Sequence, residues 1–167
     1  MRIMTLLLPT LLASAALTLA LRNSDASADM HEASIIERFT GHYELVSFIQ
    51  YPEGGGEVDA NYEGRIMFDG FGNMSAQGMP RDLPERAAQT DELVRGGFAY
   101  YGNVSFDLDN NIIIHHVQGS PTRGSWVGED NIRHFEFTDD YLKLSIKDEN
   151  GRTTGTLTWR KLDHRVD

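Results

Sequence analysis

Two adjacent histidines, His115 and His116, and one arginine, Arg133, are the residues of this chain that invite a chemical reading. Imidazole titrates near neutral pH, so an enclosed histidine can give or take a proton. If the pair lies on a strand, its members point to opposite faces. They cannot then chelate one metal ion, and only one of them faces inward. The apolar run Ile112-Ile113-Ile114 before them conceals which one. The inward member is either a hydrogen-bonded core imidazole or a site group. Arg133 shares its alternation parity with Phe135 and Phe137 in Asn131-Ile132-Arg133-His134-Phe135-Glu136-Phe137. If the phenylalanines turn inward, so does the guanidinium. A buried guanidinium requires a carboxylate or an anionic ligand. Glu63, Glu129 and Asp130 are candidate internal partners, and an end position reaching water is a further alternative. The functional alternative is a ligand carboxylate or enolate held in bidentate geometry.

A small-molecule pocket also needs an apolar, polarizable lining with a few polar handles. Tyr43, Met67, Gln77, Met79 and Tyr100 are candidates for that lining, with Met74 beside them. Tyr101, His116, Trp126, Arg133 and Phe135 complete the expected ligand-binding set. Trp126 sits in a connection from Pro121 to Gly128 and is placed to cap a mouth. Candidates for any catalytic role are His115, His116 and Arg133. Other motifs fail. Gly54-Gly55-Gly56 does not lead into a helix, as a phosphate-binding loop must. Ser120 and Ser125 lack the strand–turn–helix setting of a hydrolase nucleophile. His31, His42, His134 and His164 show no metal-ligand spacing, so neither metal nor cofactor is expected. Asn73 and Asn103 satisfy the glycosylation pattern but fall in or beside expected strands.

These residues need elements to position them. The chain has 167 residues, no cysteine, and 25 acidic against 15 basic residues, a net charge of -10. Without cysteine there are no disulfides, thiol nucleophiles or thiolate metal sites. The acidic balance argues against nucleic acid as a partner. Met1 to Met4 is a short basic start, an apolar run follows to Leu21, and Ala26-Ser27-Ala28 supplies a small-residue cleavage site. Residues 1–28 thus read as a signal peptide, and the protein as secreted or periplasmic. The rival is an uncleaved anchor, since the apolar run approaches membrane-spanning length. Cleavage after Ala28 removes Arg2, Arg22 and Asp25, leaving 139 residues and a net charge of -11, with no stable membrane insertion.

Residues 29–40 form an N-terminal segment with a short helix, from Ile35, Ile36 and Phe39 at helical spacing before Gly41. From there the period becomes two. Strands are expected near 42–51, 62–69, 72–79, 97–107, 111–118, 130–138, 140–147 and 154–161. Most connections are too short for parallel crossovers and rich in Asp, Asn and Gly. Only 80–97 is long, and 83–89 is expected to form a lid helix there. Eight antiparallel strands with one apolar face and a single N-terminal helix to cover it are best satisfied by closure, which also removes the edges. The expected fold is all-β, an eight-stranded antiparallel up-and-down barrel over 41–162, with a two-sheet sandwich as the alternative.

Gly41-His42-Tyr43-Glu44-Leu45-Val46-Ser47 resembles the opening Gly-x-Trp-x-Leu-Val-Ser of lipocalin-like (calycin) domains. Gly64-Arg65-Ile66-Met67-Phe68-Asp69, Gly72 to Gln77, Ile114 to Val117, Trp126-Val127-Gly128 and Leu157 to Arg160 resemble later landmarks of small bacterial and fungal lipocalin-like domains. The departure is Tyr43, where the pattern prefers tryptophan. The resemblance implies a basic residue near the end of the last strand packing on that ring, with Arg160 the candidate by position. It also implies a barrel with a pocket, serving a carrier of a small hydrophobic molecule or a cofactor-free cyclase or isomerase of secondary metabolism. A filled barrel with a structural or partner-binding role in the envelope is the third expectation. One inward histidine would also suffice for haem, as in some calycin barrels.

Overall fold

The computed structural model describes residues 30–83 and 96–162. These fall in two compact units, one ending at Arg38 and one beginning at Phe39. A helix covers 30–39, one turn longer at its start than the spacing of Ile35, Ile36 and Phe39 indicates. Ser34 Oγ donates to the His31 carbonyl within it (2.8 Å). The segment read as a signal peptide lies outside the described residues, and so does the expected lid helix beyond Leu83.

All eight expected strands form, as β1 (Gly41–Gln50), β3 (Tyr62–Phe68), β4 (Asn73–Pro80), β5 (Phe98–Asp107), β6 (Ile112–Gly119), β7 (Asp130–Phe137), β8 (Tyr141–Lys147) and β9 (Thr153–Lys161). A two-residue strand, β2 (Val58–Asp59), was not anticipated; it pairs with the end of β1. Neighbours in the sheet are neighbours in sequence, and β9 returns to pair with β1 from Tyr43↔Lys161 to Gln50↔Gly155. The sheet is therefore a closed antiparallel barrel, not a sandwich. Turn chemistry sets the hairpins. Between β3 and β4, Asp69 Oδ1 accepts the amides of Phe71 and Asn73 (both 2.8 Å) while Gly72 takes φ +83°.

Two irregularities decide which side chains face inward. β1 inserts one extra residue at Val46 relative to β9, so Tyr43 and Leu45 point inward before it and Phe48 and Gln50 after it. On β5 the pairing with β6 shifts between Tyr101 and Gly102. A Cβ on Gly102 would lie 1.9 Å from the His116 carbonyl oxygen, so only glycine lets β6 approach there.

One end of the barrel is plugged. Phe39, 1% exposed, packs its ring against Phe68, Phe106, Phe135 and Phe137 at centroid distances of 4.8–5.4 Å. Tyr43 lies beside this cluster and donates its hydroxyl proton to the Phe39 carbonyl (3.0 Å), so the residue in the tryptophan position ties the plug to β1. The cation on its ring is Lys161, with Nζ 5.7 Å from the centroid, not the expected Arg160. Alternation explains the correction. Trp159 and Lys161 share the inward parity, and Arg160 points outward to bond Glu44 (Nε–Oε1 2.8 Å). That bond to Arg160 holds the Glu44 carboxyl below its ordinary pKa.

Removing the plug ring in Phe39→Ala is expected to lower unfolding free energy by about 3–5 kcal/mol, from lost burial and a cavity. Gly102→Ala, a smaller change, is expected to cost about 1–3 kcal/mol through overpacking. Urea titrations followed by circular dichroism check both. A Gly102→Ala variant as stable as wild type would contradict the close approach of β5 and β6.

Candidate functional site

Opposite the plug, the inward side chains leave a cavity of about 260 Å³. Its lower wall is Ile66, Ala76, Leu144, Leu157 and Trp159. Toward the mouth stand Phe48, Gln50, Tyr62, Phe98 and Ile146, with Arg123 and Trp126 from the connection between β6 and β7. Trp126 sits in a 3-10 turn, Gly124–Trp126, its ring edge-on to Tyr100 at 5.5 Å and beneath the Arg123 guanidinium at 5.0 Å. Its expected place at the mouth agrees with this. Larger hollows occur on the outer wall, but they are open surface grooves, whereas this one is walled by the barrel core.

Three polar groups meet in the cavity. His115, on β6, points inward and is 1% exposed. Its Nδ1 lies 2.9 Å from the Tyr100 hydroxyl on β5. Arg133, inward on β7, lies against the same hydroxyl and donates to the Ile132 carbonyl (2.8 Å). It has no carboxylate partner among the described residues, so Glu63, Glu129 and Asp130 do not neutralise it. Glu63 pairs with Arg81 and Asp130 with His116.

Burial lowers the His115 pKa well below its ordinary value, and the Arg133 charge adds to the effect. Burial raises the Tyr100 pKa, partly opposed by Arg133, and presses that of Arg133 down, though a guanidinium stays cationic at physiological pH. His115 is therefore a neutral imidazole and Tyr100 a neutral phenol.

The expected ligand-binding set divides. Tyr100, Trp126 and Arg133 line the cavity. Tyr43 and Phe135 are inward but belong to the plugged end. Met67, Gln77, Met79 and Tyr101 point to the outer wall, because inward places on their strands go to Ile66, Ala76, Gly78 and Tyr100. His116 is also outside, so the inward histidine is His115. Sequence reading missed Trp159 as a cavity group, since it stood out only within a family landmark. It missed Arg123 entirely, because nothing local distinguishes one loop arginine from another.

On the outer wall His116 completes a second constellation. Asp130 Oδ1 lies 2.6 Å from its Nδ1, and Ser105 Oγ lies 2.8 Å from its Nε2. The order matches the serine–histidine–aspartate relay of hydrolases. An acyl-transfer site also needs an enclosed substrate position and free donors for the oxyanion. Here the His116 and Asp130 side chains are 42% and 54% exposed. The nearby amides are committed in a chain from Gln118 to Asn103, then Asn73, then Asp69. The arrangement is a polar ladder across three strands. Among the described residues no group of three or more His, Cys, Asp or Glu side chains is placed to hold a metal ion.

The buried neutral His115 makes stability depend on pH. The unfolded chain protonates this residue near pH 6.5, and the folded chain only well below that. The unfolded state thus binds more protons as pH falls below about 6.5, and stability declines. Between pH 7 and pH 5 the loss from this single group has an upper limit of about 2 kcal/mol, set by a ring that stays neutral in the folded state throughout. His134 is shifted in the same direction, so the measurement is the difference between wild type and His115→Gln. Urea unfolding at pH 5 and pH 7 should show a shallower loss in the variant; equal losses would contradict a buried neutral imidazole.

The family model described as lipocalin-like domain matches residues 40–162. Among solved structures, a lipocalin-like protein from Bacteroides uniformis ATCC 8492 is 18% identical, with 74% of this chain and 98% of that chain covered and a TM-score of 0.44. An uncharacterized protein from Bacteroides eggerthii DSM 20697 is 16% identical, with 74% and 99% covered and a TM-score of 0.42. No curated protein matches the chain. Because the family match runs from the residue before β1 to the residue after β9, the chain belongs to the lipocalin-like domain family.

Proposed function

We propose that the protein is an exported carrier that holds one small, mainly hydrophobic molecule in the barrel cavity. The observation that carries this reading is the cavity itself: about 260 Å³ enclosed by aromatic and aliphatic side chains, plugged at one end. Ligand pockets typically span about 300–1,000 Å³, so the occupant is compact, not a long-chain lipid. Apolar contact supplies the affinity, and Arg133 and His115 orient the molecule. Export rests on the first 28 residues, with the mature chain starting at Asp29.

One observation favours the second reading, a cofactor-free cyclase or isomerase: the hydrogen-bonded Tyr100 and His115 face the cavity. Such an enzyme would hold a flexible substrate in reactive geometry and move one proton. The depressed basicity of His115 weighs against it as a general base at neutral pH. This supports the carrier.

Purification from the native host followed by mass spectrometry tests the proposal. The chain is expected to begin at Asp29 and to bring with it a small molecule in near-stoichiometric amount. Ala76→Phe, which fills the cavity wall, is expected to reduce occupancy at least tenfold while the far-ultraviolet spectrum is retained. Full occupancy in that folded variant would overturn the cavity as the site. Conversion of the recovered molecule by wild type would replace the carrier by the enzyme.

A further inference from the structure

The charge of the cavity is opposite to that of the protein. The chain carries 25 acidic residues against 15 basic ones, yet no Asp or Glu lines the cavity and two arginines do. Neither Arg123 nor Arg133 has a carboxylate within 4 Å among the described residues, whereas Arg65, Arg81, Arg152 and Arg160 all do. Arg123 is at the mouth, stacked on Trp126. Arg133 lies deeper, against Tyr100, where a solitary charge is costly.

The hydrogen bonds in the cavity also point one way. Arg133 lies against the Tyr100 phenol and, carrying donors only, offers its proton no acceptor. The Tyr100 proton has one acceptor among the described residues, His115 Nδ1 at 2.9 Å. Pairing that proton with Nδ1 places the neutral ring's own proton on Nε2. That Nε2–H is buried and has no partner among the described residues. Trp159 Nε1–H, on β9 and 1% exposed, has none either. Indole nitrogen is a donor only. The deep polar groups of the cavity are thus a cation and two unpaired donors, with no acceptor left among them. Buried donors left unpaired are uncommon, and each costs about 1–3 kcal/mol.

We infer that the cavity is built for a compact amphipathic monoanion, a carboxylic acid or an enolic acid of similar geometry. Its acid oxygens accept from Arg133, His115 Nε2–H and Trp159 Nε1–H, and its apolar body lies against Ile66, Leu144 and Leu157. This deepens the carrier reading and rests on it. The anion gives Arg133 the counter-charge that the protein withholds, in an interior where a charge-assisted bond is stronger than in water. A neutral hydrophobe of the same shape would leave the guanidinium uncompensated, and a cation would be repelled by it.

Calorimetric titration with acid–alcohol pairs sharing one apolar body tests the assignment: benzoate and benzyl alcohol, trans-cinnamate and cinnamyl alcohol, hexanoate and hexan-1-ol, at pH 7.5. At least one acid is expected to bind ten times or more tighter than its alcohol. Arg133→Met should shrink that preference to threefold or less, Arg133→Lys should retain part of it, and His115→Phe should weaken acid binding severalfold. Arg65→Gln, which removes an outer-wall cation, should leave the preference intact. Near-ultraviolet circular dichroism verifies that each variant is folded. Alcohols bound as tightly as their acids would overturn the anion inference and leave the carrier reading standing. A preference that survives Arg133→Met and Arg133→Lys unchanged would overturn the seat. If no acid and no alcohol binds, the carrier reading fails and takes this inference with it.

Discussion

The β1–β9 ladder is the constraint on which the rest depends. Until the last strand meets the first, the sheet has two open edges and one apolar face exposed to water. Closure pairs the edge groups and creates an interior that water reaches only from one end. One end of this ladder is secured by side chains on both of its faces. Glu44 and Arg160 bond on the outside, and Tyr43 and Lys161 meet on the inside, next to the Phe39 plug. The enclosed cavity, the neutral His115 and the cost of leaving Arg133 unpaired all follow from that closure.

His115 and His116 show how strongly the fold sets chemistry. They are adjacent in the chain and identical in type. One sits among Tyr100, Phe68 and Arg133 with its basicity suppressed by burial. The other stands in water between Ser105 and Asp130. The outer trio has the connectivity of a hydrolase relay but no enclosed space, while the inner pair has the space but little basicity.

The cavity departs from the rule that enclosed ions are neutralised by the protein itself: the half-buried Arg133 has no carboxylate within 4 Å among the described residues. Natural sequences depart from local consistency mainly where function requires it. Arg133, His115 Nε2 and Trp159 Nε1 are three such departures on the inward face of one small barrel. At the plugged end the Tyr43 hydroxyl is satisfied by the Phe39 carbonyl.

Strand positions, the barrel and the lipocalin-like relationship were legible in the sequence, because period-two alternation, turn residues and short connections are local signals. What faced the cavity was less so. The extra residue at Val46 reverses the parity of β1, which brings Phe48 to the mouth against strict alternation. Isoleucines on both sides of β6 concealed that His115 turns inward. Met67, Gln77, Met79 and Tyr101 look like lining by type but stand outside by register. The sequence by itself determined that the chain closes into an acidic, disulfide-free barrel, since pattern and turn chemistry act between near neighbours. Only the tertiary structure decided that Arg133 lacks a carboxylate and faces unpaired donors, because charge partners are set by strands far apart in the chain.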